Sequence, residues 1–171
     1  MKKPKKNSPS HSSTSTPMEE YVGLSLVTQP SGMPLVYISY GGRPISKKSS
    51  QRIIMKGNRR IIIYSKAYSA LLKSIVPRLR KLWEDQGAPG EYGTRANPVE
   101  VEATLYAGRG VEPDLSGALE TVGDVLQAAG IIENDRWIKS WDGTRVVCKH
   151  DDQLARTEIV IGVMVGQEDL Y

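Results

Sequence analysis

The sequence predicts an α/β domain of the α+β type, in which a small mixed β-sheet packs with helices. Segments with alternating or continuous apolar residues, which are typical of strands, occur in both halves of the chain. Two longer segments with apolar residues at helical spacing lie between them, and this mixture favours a mixed sheet. The 171 residues, 39% hydrophobic and 25% charged, suit one domain with a real core. We expect that domain over residues 18–171, after a disordered basic tail at residues 1–17 that is rich in Ser, Thr, Pro and Lys.

The first half of the chain predicts two strands and a hairpin. The strands are YVGLSLV at residues 21–27 and LVYISY at residues 35–40, with turn-forming residues between them. Farther on, QRIIMK and RRIIIY flank Gly57-Asn58, as the two strands of a hairpin flank their turn.

The two helices have recognisable ends. The first is expected to begin at a cap formed by Ser65 or Ser69 and to run to about residue 86, with Pro77 kinking or splitting it because proline removes a backbone donor. The second begins at Asp114, whose carboxylate can accept hydrogen bonds from free N–H groups, and ends at Gly130. Its predicted buried stripe contains Leu115, Ala118, Leu119, Val122, Val125, Leu126 and Ala129.

The remaining strands are predicted around the second helix. VEVEATLYA (Val99–Ala107) alternates cleanly, as a half-buried strand does. RWIKS at residues 136–140 and RVVC at residues 145–148 flank an Asp142-Gly143 turn. TEIVIGVMV at residues 157–165 is the most apolar strand, and we expect it at the centre of the sheet.

Several classes of protein are disfavoured by the composition. Cys148 is the single cysteine, which excludes an intrachain disulfide and a Cys-rich zinc site. No apolar run approaches the roughly 20 residues of a membrane-spanning helix, and no apolar stretch follows the basic start as in a secretory signal. These features predict a cytoplasmic protein.

Positive charge is concentrated in the first part of the chain. Residues 1–66 contain twelve Lys or Arg against two acids, a net of +10, and residues 67–171 contain eleven against seventeen, a net of −6. This asymmetry favours an anionic polymer as partner, although a solvated hairpin face is the alternative. The residues predicted to contact phosphates are Lys47, Lys48, Arg52, Lys56, Arg59, Arg60 and Lys66.

Acidic residues recur along the second helix. Ser116, Glu120 and Asp124 are spaced by four and form a ladder on one face, which begins just after Asp114. Asp135 follows soon after the helix ends. Oxygen ligands from a helix start, a helix flank and a strand start suit a hard divalent ion such as Mg²⁺. The alternative is a capping aspartate followed by an acidic face that is simply solvated.

These regions resemble the RusA family of Holliday-junction resolvases, which are crossover junction endodeoxyribonucleases common in phages and prophages. The family has an aspartate-rich helix entrance, a further Asp in the helix and a "gxxxxDD" turn into a strand. Asp114, Asp124 and Asp135 match three of its aspartates in that order. The segment ISKKSSQRIIMKGNRRIIIYSKAY is similar to the family's basic opening beside its DNA-binding face, and the resemblance covers residues 24–165.

Three positions depart from the family pattern. Ser116 stands in place of the second aspartate, Glu120 in place of a lysine, and Asn134 in place of the first Asp of the terminal pair. Because Ser116 and Glu120 lie one helical turn apart, Glu120 can supply the carboxylate missing at position 116. We interpret the chain as a phage-type variant with a RusA-like fold; the alternative is a catalytically inactive homologue that binds junctions or other nucleic acids.

The resemblance implies an enzyme, a metal-dependent endonuclease that makes paired cuts in branched DNA such as Holliday junctions and leaves 5′-phosphate ends. Its catalytic and metal-binding residues would be Asp114, Glu120, Asp124 and Asp135, with Mg²⁺ as the cofactor and Mn²⁺ as a possible replacement. Because a four-way junction is two-fold symmetric, paired cuts also imply a homodimer with two active sites.

Overall fold

The elements observed in the protein match the predicted mixture of helices and strands. A computed structural model describes residues 21–30, 32–47, 51–88, 90–109, 112–148 and 154–164; the predicted tail at residues 1–17 lies outside these ranges. The elements, in chain order, are β1 (Val22–Val27), β2 (Leu35–Gly41), β3 (Gln51–Lys56), β4 (Arg59–Tyr64), α1 (Lys66–Asp85), β5 (Val99–Ala107), α2 (Leu115–Ala129), β6 (Ile138–Ser140), β7 (Arg145–Cys148) and β8 (Arg156–Val163).

The main sheet is mixed and has the strand order β1-β2-β8-β5-β6, with β7 also paired to β5. Strands β1, β2, β8 and β5 are antiparallel neighbours, whereas β6 and β7 run parallel to β5. The predicted central position of the last strand is confirmed, since β8 lies between β2 and β5. It spans Arg156–Val163 rather than residues 157–165.

Both helices contribute to the same core as the main sheet. Alternate residues of β2, β5 and β8 belong to one buried cluster with side chains from both helices. In β5, every apolar residue of the predicted alternation is buried. Contacts between the two helices complete this layer. The domain therefore presents the polar side of α2 away from the core, where the candidate site residues lie.

Helix α1 is continuous through Pro77, which excludes the split, one of the two effects predicted for this proline. Ser65 rather than Ser69 caps the helix, and its side chain accepts a hydrogen bond from Tyr68 N at 3.1 Å. Ile75 and Leu79, on either side of the proline, are completely buried. Packing of both halves against the core compensates for the loss of about 3 kcal/mol that proline causes inside a helix.

Helix α2 has the predicted ends, with Asp114 as its N-cap and Gly130 as a left-handed C-cap at φ 78°. One member of the predicted buried stripe is wrong: Leu115 is exposed, because it lies in the first turn, ahead of the part that packs on the sheet. The start of the predicted strand RWIKS is also wrong. Asn134 caps a short 3-10 helix (Asp135–Trp137), and the strand begins only at Ile138.

The predicted hairpin is confirmed, but it lies outside the main sheet. Strands β3 and β4 pair through the Gly57-Asn58 turn and form a separate two-stranded sheet. The apolar side chains described in the hairpin are exposed, and they are Ile53, Ile54, Met55, Ile61, Ile62, Ile63 and Tyr64.

Within the described residues, no helix combines the length and the apolar character that crossing a membrane requires.

Candidate functional site

Asp114 begins α2 and lies at one end of the candidate site. Its Oδ2 accepts hydrogen bonds from Gly117 N at 2.9 Å and from Ser116 Oγ at 3.0 Å. The cap satisfies a free N–H group of the first turn, and a carboxylate is favoured there by the positive end of the helix dipole. Asp114 and Ser116 are both exposed, so this end of the helix is open to solvent.

The predicted ladder follows on the same side of α2. Glu120 is exposed, whereas Asp124 is half-buried. Residues spaced by four lie above one another on a helix surface. The fold therefore aligns Ser116, Glu120 and Asp124, as the spacing predicts.

The segment before the hairpin lies against the first turns of α2. Lys47 N donates a hydrogen bond to Gly117 O at 3.0 Å. Gly117 makes this approach possible: a Cβ added there would lie 2.0 Å from Ser46 Oγ and 2.9 Å from Asp114 Oδ2. Because Gly117 has no side chain, the basic segment (residues 45–68) can pack closely against the acidic helix α2 at this point.

Lys47 and Asp124 form an ion pair at this contact. Lys47 Nζ lies 2.8 Å from Asp124 Oδ2 and 3.0 Å from Oδ1, and the two side chains are 22% and 23% exposed. Burial lowers the pKa of Lys47, but the hydrogen bond and charge of Asp124, with smaller effects of Tyr64 and Glu120, outweigh it, so the pKa is raised. The lysine is therefore held in its charged form beside the ladder.

Tyr68 of α1 also binds Asp124. Its hydroxyl donates a hydrogen bond to Asp124 Oδ2 at 2.5 Å. Burial, followed by this hydrogen bond, raises the pKa of Tyr68 and keeps the hydroxyl protonated. The Tyr68 ring also lies 5.0 Å from that of Tyr64, whose ring centre is 6.0 Å from Lys47 Nζ. Two tyrosines, a lysine and an aspartate thus meet where α1, α2 and the basic segment converge.

Asp135 flanks the ladder from the turn after α2. A Cβ added at Gly123 would lie 3.4 Å from Asp135 Cβ and 4.0 Å from its Oδ2. Gln127 Oε1 accepts a hydrogen bond from Asp135 N at 3.3 Å. Consecutive helical residues point about 100° apart, so Asp135, lying against Gly123, is beside the face that carries Asp124.

The residue types at the site suit a hard divalent ion, since all four predicted ligands are carboxylates. The contacts of these carboxylates suit a metal ion less well. Both oxygens of Asp124 contact Lys47 or Tyr68, and Asp114 Oδ2 serves as the helix cap. Among the described residues, no group of three or more His, Cys, Asp or Glu side chains is arranged to hold a metal ion. A metal at this site would require Lys47 to leave Asp124.

Of the six other residues that were predicted to contact phosphates, the structure describes the side chains of four. Lys56, Arg59 and Arg60 are exposed on the hairpin, and Lys66 is exposed at the start of α1. Lys48 and the side chain of Arg52 lie outside the described part of the chain.

Sequence reasoning missed both partners of Asp124. Lys47 and Tyr68 are 77 and 56 residues away from it in the chain, and only tertiary packing brings them together. A glycine in the first turn of a helix was the available signal. Gly117 costs helix stability, which suggests that another segment approaches closely there.

No family model matches the chain, and no curated protein matches it.

Proposed function

We propose that the protein is a structure-specific DNA endonuclease of the RusA type, which resolves Holliday junctions and other branched DNA by paired cuts in the presence of Mg²⁺ or Mn²⁺. One observation carries the proposal: the basic segment and the acidic helix meet through the Lys47–Asp124 ion pair. A nuclease needs cations that attract the phosphate backbone and carboxylates beside the bond that is cut. Here both motifs come to one place, although they are far apart in the chain.

Each part of the site has a role in this proposal. The exposed cations of the hairpin and of α1 attract the arms of the junction without reading sequence. Lys47 contacts Asp124 of the ladder and lies 6.0 Å from the ring of Tyr64 at the end of β4, so it is suited to guide one phosphate toward the carboxylates. Tyr68 fixes the orientation of Asp124 through its hydroxyl.

The metal would be held by Asp114, Glu120, Asp124 and Asp135. When bound, it would supply an activated water and stabilise negative charge on the phosphate that is attacked. The chain's own contribution would be to present Glu120 and Asp124 on one side of α2, with Asp135 beside them, and to exchange Lys47 between Asp124 and DNA. Glu120 is exposed on the ladder, in the position from which it can replace the acid that Ser116 lacks.

A homodimer is part of the same proposal, because two symmetric cuts need two sites related by a two-fold axis. The exposed apolar residues of β3 and β4 offer a surface on which two copies could associate. We further propose that the protein acts in the cytosol of a bacterium or of a phage-infected host.

The direct test is incubation of the full chain with an end-labelled four-way junction, with and without Mg²⁺. We expect symmetric nicks with 5′-phosphate ends in the presence of the metal and none in EDTA. Asp135→Asn should bind the junction and leave it intact, whereas Asp142→Asn, which changes a turn aspartate, should cut normally. Uncut junctions with Mg²⁺ and with Mn²⁺ would refute the proposed activity.

A second candidate is a junction-binding protein without nuclease activity. The contacts that Lys47 and Tyr68 make with Asp124 favour it, because they occupy a carboxylate that a metal would need. This candidate predicts that Mg²⁺ changes affinity for the junction but produces no nicks at any protein concentration.

A further inference from the structure

A second group of cations surrounds the turn that begins with Asp135. Arg95, Arg136, Trp137 and Lys139 line an open pocket of about 410 Å³. None of them belongs to the basic segment, and none of the lining residues within the described part of the chain is acidic. The pocket thus offers positive charge and one aromatic ring next to a candidate site residue.

The two parts of this pocket are held together by backbone contacts. Tyr92 forms a bridge with Ile132, and Asn134 N donates a hydrogen bond to Gly93 O at 3.3 Å. Gly93 has φ 58°, and a Cβ there would lie 2.6 Å from Ile132 Cβ, so the close approach requires glycine. The loop that carries Arg95 is therefore fixed beside the turn.

Trp137 lies among the cations of the pocket. The Arg136 guanidinium carbon is 4.8 Å from the ring centre and Lys139 Nζ is 5.0 Å from it. The indole is half-buried, and its Nε1 has no hydrogen-bond acceptor in the described parts of the chain. Rings and guanidinium planes combined with cations are what proteins use to bind unpaired nucleic acid, because bases stack on them while phosphates contact the charges.

The geometry points to a binding site for an unpaired DNA strand at Arg95, Arg136, Trp137 and Lys139. Backbone phosphates would contact the three cations, and one base would stack on Trp137 or on the guanidinium of Arg136. A duplex cannot use the ring in this way, because its bases are stacked on each other. The inference rests on the proposed function, in that Arg136 of the pocket directly follows Asp135, a residue proposed to hold the metal. It names the substrate feature that the enzyme would select, which is a strand unpaired at the branch point.

The test measures binding without metal, so that it does not depend on cleavage. The full chain is titrated into a labelled oligothymidylate of about 12 nucleotides, within the site sizes known for such proteins, and into a duplex of equal length. Trp137→Leu should weaken single-strand binding about 10-fold, as loss of one stacked base does, and change duplex binding by less than about twofold. Trp137→Phe keeps a ring and should restore most of the affinity.

The exposed cations give an independent test that does not disturb packing. Arg95→Gln with Arg136→Gln should weaken binding of the oligothymidylate and reduce its salt dependence. Arg145→Gln removes the same kind of charge from β7, where Arg145 pairs with Glu102 at 2.9 Å, and should have little effect. Equal losses for single strand and duplex, or normal single-strand binding by both the leucine and the double variant, would overturn the inference. Because no metal is present, absent cleavage would leave this result unaffected.

Discussion

Releasing Lys47 from Asp124 should make DNA binding tighter. Asp124→Asn keeps an oxygen that can accept the Tyr68 hydrogen bond but removes the negative charge that holds the lysine. The ammonium group of Lys47 can then contact a phosphate without first breaking its ion pair with Asp124. We therefore expect Asp124→Asn to bind a four-way junction more tightly than the unmodified protein in the absence of metal, although it should no longer cut.

The size of the gain follows from the burial of the pair. Exposed ion pairs are worth about 0.2–1 kcal/mol, and breaking a fully buried one costs about 3–5 kcal/mol. With side chains 22% and 23% exposed, Lys47 and Asp124 lie between these limits, at about 1–2 kcal/mol. Because each 1.4 kcal/mol is tenfold, junction affinity should increase by about 5- to 30-fold. One additional phosphate contact should also steepen the dependence of log K on log salt by about 0.9.

The assay is fluorescence anisotropy with a labelled junction at several salt concentrations. The decisive comparison is a double-mutant cycle in which Asp124→Asn is also introduced into Lys47→Gln. In that background the gain should disappear, because no lysine remains to be released. Asp85→Asn is the matched control: it removes the same charge at the far end of α1, about 25 Å from Tyr68 along the helix and beyond the screening length.

An equal gain in affinity in the Lys47→Gln background would refute release of Lys47 as the cause. That result would mean that any lost negative charge favours DNA and that the ion pair has no special role. Unchanged affinity of Asp124→Asn itself would show that Lys47 does not contact phosphate.

Three further predictions concern the same site. Gly117→Ala should lower the free energy of unfolding by about 1–3 kcal/mol in urea denaturation, because its Cβ would meet Ser46 Oγ. Gly123→Ala has ordinary contacts and should raise the free energy of unfolding by up to about 1 kcal/mol. Equal effects of the two substitutions would contradict the close approach at Gly117. Asp114→Asn should abolish cleavage yet leave stability within about 0.5 kcal/mol, since asparagine caps helices as well as aspartate; a cleaving variant would remove Asp114 from the site. Because the pKa of Tyr68 is raised, the folded protein keeps a proton that the unfolded chain loses above about pH 10. The free energy of unfolding should therefore be largest below that pH and fall as the pH rises. In urea denaturation from about pH 9 to about pH 11, Tyr68→Phe should show a shallower fall, and an unchanged slope would contradict the role of Tyr68.

Local features of the fold could be predicted from the sequence. The cap at Asp114, the left-handed Gly130 and the alternation in β5 depend on residues close together in the chain, and all three are confirmed. The central position of β8 followed from its apolar composition. The sequence left open whether Pro77 kinks or splits α1, because packing on both sides of the proline decides between the two.

The candidate site could be predicted only in part. The spacing of Ser116, Glu120 and Asp124 placed them on one face of α2, and this alignment follows from helix geometry alone. The pairing of Asp124 with a lysine 77 residues away depends on how the basic segment crosses the helix, which no local pattern encodes. Because of that contact, the ladder already has the cation Lys47 bound at Asp124.

The exposed hairpin also affects how the protein behaves at high concentration. Strands β3 and β4 present isoleucines to solvent, and short exposed segments of this kind are templates for aggregation. Lys56, Arg59 and Arg60 surround the turn. Repulsion between these charges on two neighbouring hairpins opposes their edge-to-edge pairing. At 0.1 M salt this repulsion is largely screened beyond about 10 Å, and neutralising substitutions remove it. Colloidal stability and the proposed attraction for phosphate would therefore depend on the same few charges. A variant made to weaken the proposed DNA binding through the hairpin should also be less soluble.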